Sequence, residues 1–153
     1  VECCWPTIKQ RLPNATFTVG GMNPIKEIQQ LAENDDAIEV TGFVDDMLPY
    51  FHKATAFVAP FRLARGVQNK VLQAAACKLP VVTTSMGAEG ISYANESTMF
   101  IADDKDSFID ACVLCVNETD TARQKAGRAF DALRSTYSWQ QQLQPLKYAL
   151  EEI

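Results

Sequence analysis

Along this chain, short unbroken apolar runs alternate with longer segments whose apolar residues recur every three or four positions. Trp5, Ile8 and Leu12 have helical spacing in a segment from Glu2 to Arg11 that stops before Pro13. Residues 15–20 form a β-prone run ending on Gly20, and Asn23-Pro24 then predicts a helix start, with Asn as cap and Pro in the first turn. Ile25, Ile28 and Leu31 give that helix an apolar stripe. Residues 37–41 read as the next strand, ending at Gly42, and Asp45 or Asp46 caps a short helix containing Leu48 and Phe51. The run 56–59 is too short for a helix and is stopped by Pro60. Residues 67–78 are predicted helical, 80–84 a strand and 99–102 another strand. A helix follows with Asp103 or Asp104 near its start and Phe108, Ile109, Cys112, Val113 and Val116 on its apolar face. From about Asp120 the chain reads as helical, with a break near Ser138-Trp139.

Strands therefore alternate with helices at least four times. The strand runs are continuously apolar, as strands covered on both faces are, which predicts an α/β domain with a doubly wound, Rossmann-like parallel sheet and right-handed crossovers. No internal repeat, low-complexity tract or linker interrupts residues 1–153, so one domain is expected.

Composition narrows the class. The 153 residues are 47% hydrophobic and 22% charged, with net charge −5, which speaks against a sequence-independent nucleic-acid binder and against a chain held to anionic lipid by charge alone. No apolar run reaches the ~20 residues of a membrane span, and no charged-then-apolar leader is visible. The five cysteines are odd in number. Cys112 and Cys115 have CxxC spacing, but their apolar flanks and the lack of a second pair make them buried reduced thiols rather than a zinc or redox site. The N-x-S/T triplets at Asn14, Asn95 and Asn117 are read as chance. Adjacent acidic pairs (Asp35-Asp36, Asp45-Asp46, Asp103-Asp104) are caps or solvated turns, and no metal site is expected. His52, the only histidine, is read as a surface or packing residue.

Ligands of open parallel sheets bind beyond the carboxyl ends of the strands. Three such ends carry candidates: Gly20 and Gly21 after the first strand; Gly42, Phe43 and Val44 after the second; and the loop from Pro60 through Arg62 and Arg65 to Gly66 after the third. A helix beginning near Gly66-Val67 would aim its first amides at an anion, with Arg65 and Lys70 adding positive charge. Residues 66, 69, 70 and 73 would share one face, putting Gln73 about 10 Å along at 1.5 Å per residue. That length suits a diphosphate at the helix start and a ribose beside Gln73. A solvent-facing polar stripe is the competing reading. Glu89 in "GAEG" faces either a donor sugar or solvent.

"ARGVQNKVLQAAACKLPVVTTSMGAEGI" resembles the donor-site motif of family 4 retaining glycosyltransferases of the GT-B fold, whose pattern is Glu, seven residues, then Glu-Ala-Met-Ala and a Pro-Val-Val strand. "LPNATFTVGG", "IEVTGFVDDMLPYFHKATAFVAPFR" and "STYSW" resemble the surrounding segments in the family's order, so the likeness covers nearly the whole chain. The Arg-Gly-x-Gln-Asn-Lys form is most similar to a subgroup of bacterial sugar transferases linked to exopolysaccharide gene clusters. The resemblance implies the nucleotide-sugar-binding C-terminal half of a GT-B enzyme. Gly42, Phe43 and Val44 then match the region at the base, and Gly66, Val67, Gln68 and Asn69 the loop at the diphosphate and sugar. Gln73 matches the second Glu, at the ribose, and Arg65 the first Glu, at the donor sugar.

Both motif glutamates are thus replaced. Gln73 can still exchange hydrogen bonds with a ribose, and Arg65 suits a phosphate or an acidic sugar. By the same resemblance the chain is N-terminally truncated. The N-terminal acceptor domain and the first strand of this domain are missing, the fragment alone is expected to be inactive, and the last helices (about 120–153) pack on the domain or cross to the missing one. The expected activity of the parent is transfer of a sugar from a nucleotide-diphosphate sugar to an acceptor in polysaccharide or glycan biosynthesis, without metal or other cofactor. The diphosphate charge would be met by the helix amides, Lys70 and Arg65. The expected location is cytoplasmic, compatible with a peripheral place at the inner membrane face. A non-catalytic interaction or oligomerisation module of the same fold is the alternative. A dinucleotide-dependent oxidoreductase is disfavoured because "VGGMNP" lacks GxGxxG.

Overall fold

The computed structural model describes residues 3–137, which divide into two compact units on either side of the Lys53–Ala54 bond. The break near Ser138-Trp139 and the end of the C-terminal helical segment lie outside the described residues.

The first unit contains α1 (Trp5–Arg11), β1 (Phe17–Gly20), α2 (Lys26–Asn34), β2 (Ile38–Gly42) and α3 (Leu48–Lys53). β1 and β2 pair in parallel, with Phe17 opposite Ile38, Val19 opposite Val40 and Gly20 opposite Gly42, the register shifting between Val19 and Gly20. Trp5 anchors the unit: its ring lies 5.6 Å from that of Phe17 and its indole N–H donates to Asp35 Oδ2 at 2.7 Å. That bond and the amide of Ala37 hold the Asp35 carboxyl below its usual range. α2 begins at Lys26 rather than at Pro24, and no side chain caps it. Asn23 instead takes φ +50, a left-handed conformation that Asn tolerates better than most residues and that belongs to a turn. Of the two candidate caps for α3, Asp46 is the one used, its Oδ1 accepting from the Leu48 amide at 2.8 Å.

The second unit contains β3 (Phe57–Ala59), α4 (Asn69–Ala76), β4 (Val81–Thr83), α5 (Ser85–Ala88), β5 (Phe100–Ile101), α6 (Lys105–Asn117) and α7 (Thr119–Thr136). The strands form a three-stranded parallel sheet in the order β3-β4-β5. α4 packs on β3 and β4, α6 on β4 and β5, and α7 on both helices. The fit follows residue size. Ala74 and Ala75 on α4 and Ala122, Ala126 and Ala129 on α7 are buried, and side chains this small let helices approach closely. Val71, Val81, Val82, Met99, Phe108 and Ile109 fill the core, with Cys112 and Cys115 among them. Both cysteines are free and buried, and burial pushes the Cys115 thiol up to about 12. Asp104 is the residue that caps α6, accepting from the amides of Asp106 and Ser107. α5, a single turn, has no counterpart in the periodicity, which is too short-ranged to mark four residues.

α4 ends in a Schellman arrangement: the amide of Lys78 bonds Ala75 O and that of Leu79 bonds Ala74 O, both at 3.0 Å. Lys78 occupies the left-handed position there, at φ +53, where glycine is usual.

Candidate functional site

In the first unit, the strand pairing brings Gly20 and Gly42 together as register partners at the carboxyl edge of β1 and β2. Gly42 has φ +66. A methyl at Gly20 would lie 2.5 Å from Met47 Cε, the far end of a flexible side chain that would have to move, whereas Gly21 faces open space. Phe43 is 66% exposed and Val44 half-buried. This edge therefore offers open backbone beside an exposed aromatic face.

In the second unit, the β3–α4 loop departs from the expectation in one respect. α4 starts at Asn69, not near Gly66. Gly66 has φ +66 and Gln68 is extended, so Gly66 and Val67 belong to a turn ahead of the helix. Residues 66, 69, 70 and 73 consequently do not share a helical face; only Asn69, Lys70 and Gln73 do. Gln73 is about 6 Å, one turn, from the helix start rather than 10 Å. Gln68 is the N-cap residue, but its side chain does not cap: Nε2 donates back to Gly66 O at 2.9 Å, closing the turn. Among the described residues no side chain accepts from the first amides of α4, which keep the partial positive charge of a helix start.

Arg62, Arg65, Gly66, Val67, Asn69, Lys70 and Gln73 are all exposed around this point. Arg62, Arg65 and Lys70 form no ion pair among the described residues. From Ala54 to Ala88 the sequence holds Arg62, Arg65, Lys70 and Lys78 and no Asp or Glu, in a chain of net charge −5. The positive charge at the head of α4 is thus uncompensated within its own segment, which suits an anion.

Sequence reasoning missed the residues that hold the loop. Thr83 Oγ1 donates to Ala59 O at 3.0 Å and Thr84 Oγ1 to Phe61 O at 2.8 Å, so the end of β4 pins the start of the β3–α4 loop. The Gly87 amide donates to Thr84 Oγ1, and a methyl at Gly87 would overlap Thr83 Oγ1 and lie 2.7 Å from Phe61 Cδ2. Gly90, at φ +77, backs the other end: its added methyl would sit 3.2 Å from Val67 Cγ2 and 3.6 Å from Val67 N. Asp103 accepts from the Ser85 amide and hydroxyl at 2.8 and 2.6 Å, which fixes α5 and holds the carboxyl below its usual range. The only signal for these roles was the run "TTSMGAEG", where two small hydroxyls and two glycines follow a buried strand. Glu89 is exposed beside Gly90, and His52 is exposed on α3.

A profile of the family described as "Glycosyl transferases group 1" matches residues 1–118. The chain belongs to that family. No curated protein sequence matches this glycosyl transferase chain. Solved structures share its fold. HepE of Anabaena, in complex with UDP, superposes with a TM-score of 0.81 at 15% identity, over 99% of this chain and 45% of that one. Sucrose-phosphate synthase from Thermosynechococcus elongatus gives 0.78 at 17% identity, over 98% and 42%. The C-terminal domain of a glycosyl transferase group 1 family protein from Francisella tularensis gives 0.73 at 20% identity, over 90% and 77%. The group 1 chain described here therefore spans less than half of the first two. The expected α/β architecture with parallel sheets is what the structure has.

Proposed function

We propose that this chain is the donor-binding part of a glycosyltransferase that moves a sugar from a nucleotide-diphosphate sugar to an acceptor. The observation that carries the reading is the head of α4: uncapped amides, Lys70 on the first turn and an acid-free surrounding segment, in a chain of the group 1 family. HepE, one neighbour of this fold, is described in complexes with UDP, with UDP and glucose, and with UDP-glucose, which makes UDP the first nucleotide to test.

In this reading the diphosphate lies over the amides of Asn69 and Lys70, where the helix dipole and the ammonium meet its charge and stabilise it as the leaving group. Gln73, one turn further along the same face, meets the ribose hydroxyls, and Arg65 meets the donor sugar or a phosphate. Gly42, Phe43 and Val44, in the first unit, are the residues that the family resemblance assigns to the base, with Gly20 and Gly21 as further candidates for substrate binding. Transfer proceeds with retention and without metal. The acceptor side is supplied by a further domain of the parent, which works in polysaccharide or glycan synthesis in the cytoplasm. Among the described residues no helix is long and apolar enough to cross a membrane.

Saturation-transfer NMR with UDP, GDP and ADP on the 153-residue chain tests it. One nucleotide should show transfer, and Lys70→Ala should weaken its binding about tenfold or more, as loss of a charge-assisted hydrogen bond does. Gln73→Ala should weaken it less, about three- to fivefold. Signals unchanged in both variants would remove the assignment, and absence of transfer from all three nucleotides would favour a non-catalytic module of this fold.

A further inference from the structure

The end of α7 reaches the turn after α5, behind the β3–α4 loop, through one hydroxyl. The Tyr137 hydroxyl, on the residue closing α7, faces Gly90 O at 3.5 Å, a long and weak contact beside the ~2.5–3.0 Å of a usual O–H···O hydrogen bond. Gly90 in turn abuts the backbone of Val67, between the Gly66 turn and the cap of α4. α7 is itself fixed along its length: Lys125 Nζ donates to Glu96 O and Met99 O, and Arg128 Nη1 to Ser97 O. The Tyr137 ring is oriented by Tyr93, whose ring stands at 83° to it with centroids 6.1 Å apart. Tyr93 is 7% exposed, and among the described residues its own hydroxyl has no hydrogen-bond partner. Two neighbouring tyrosines thus differ sharply: one hydroxyl holds a backbone carbonyl behind the loop, the other holds nothing.

We propose that Tyr137 and Gly90 are positioning residues for the anion loop, the Tyr137 hydroxyl fixing the Gly90 turn against Val67 and so setting the direction of the amides at the head of α4. A turn held by a left-handed glycine has no side chain of its own to brace it, so an external bond to its carbonyl limits its freedom. The consequence for donor binding rests on the function proposed above; the effect on the loop does not.

The matched substitutions Tyr137→Phe and Tyr93→Phe separate positioning from packing, since each removes one oxygen and keeps the ring. In the isotope-labelled chain without ligand, Tyr137→Phe should shift the amide resonances of Val67, Gln68, Asn69 and Lys70 and speed their hydrogen exchange. Tyr93→Phe should leave them in place. Gly90→Ala, with its methyl against Val67, should move the same resonances further. UDP affinity should fall about two- to threefold in Tyr137→Phe, the low end for one hydrogen bond because this one is long, and stay unchanged in Tyr93→Phe. Loop amides that do not respond to Tyr137→Phe, or that respond equally to Tyr93→Phe, would overturn the proposal. Responding amides in a chain that binds no UDP would uphold the positioning role and sink the donor reading.

Discussion

Gly87→Ala puts the packing behind the loop to its hardest test. The added methyl would overlap Thr83 Oγ1 and approach Phe61 Cδ2 to 2.7 Å, with Ala59 O at 3.5 Å. Thr83 is fully buried and its hydroxyl already donates to Ala59 O, so it has no solvent to retreat into. Either the threonine rotates and gives up a buried hydrogen bond, costing about 1–3 kcal/mol, or the Phe61 end of the loop is pushed outward, an overpacking cost of about 1–3 kcal/mol. Both happening together gives about 2–6 kcal/mol, and for a chain of this size each kcal/mol moves Tm by roughly 2–4 °C. A fall of about 10 °C is expected in thermal unfolding followed by circular dichroism, with weaker nucleotide binding because the loop start is displaced. The double variant Gly87→Ala with Thr83→Ala supplies the decisive comparison. If the clash is with Thr83, removing that side chain makes room, and the double variant should be more stable than the sum of the single losses by about 1–3 kcal/mol. A Gly87→Ala protein with unchanged Tm, or strictly additive losses, would refute this account of the contact.

Lys78→Gly should relieve the left-handed strain at the end of α4 by about 1 kcal/mol, partly offset by the lost contact of Nζ with the Phe130 ring at 4.6 Å; urea titrations in wild-type and Phe130→Leu backgrounds should show the larger gain in the second. Asp103 and Asp104 have carboxyls held below the ordinary value of 3.8 by their Ser85 and Ser107 hydrogen bonds. Their folded values lie below the unfolded ones, so their contribution is present above that value and is lost as pH falls through the folded values; Tm measured from pH 6 down to 2 should drop less steeply in Asp104→Asn. Native-state alkylation read by mass spectrometry should modify exposed Cys3 and spare Cys112 and Cys115, and early labelling of Cys115 would contradict its burial.

Much of this protein was legible in the order of its residues. Strands such as Phe57–Ala59 announce themselves as unbroken apolar runs, and the stripe of α6 through Phe108, Ile109, Cys112 and Val113 gives its inward face, because burial imposes a period on the sequence. The run from Ala54 to Ala88 without a carboxylate and the uncommon Gly66-Val67-Gln68-Asn69-Lys70 string mark where an anion would be met, since charge is local to composition. What the sequence could not decide was direction and support. The start of α4 moved to Asn69 because Gly66 adopts a left-handed turn and Gln68 bonds back to it, a choice between backbone wells that glycine permits but does not dictate. The roles of Thr83, Thr84, Gly87, Gly90 and Tyr137 arise from contacts across 3 to 47 positions of chain, and residues that far apart become neighbours only when the parallel sheet and α7 bring their ends together.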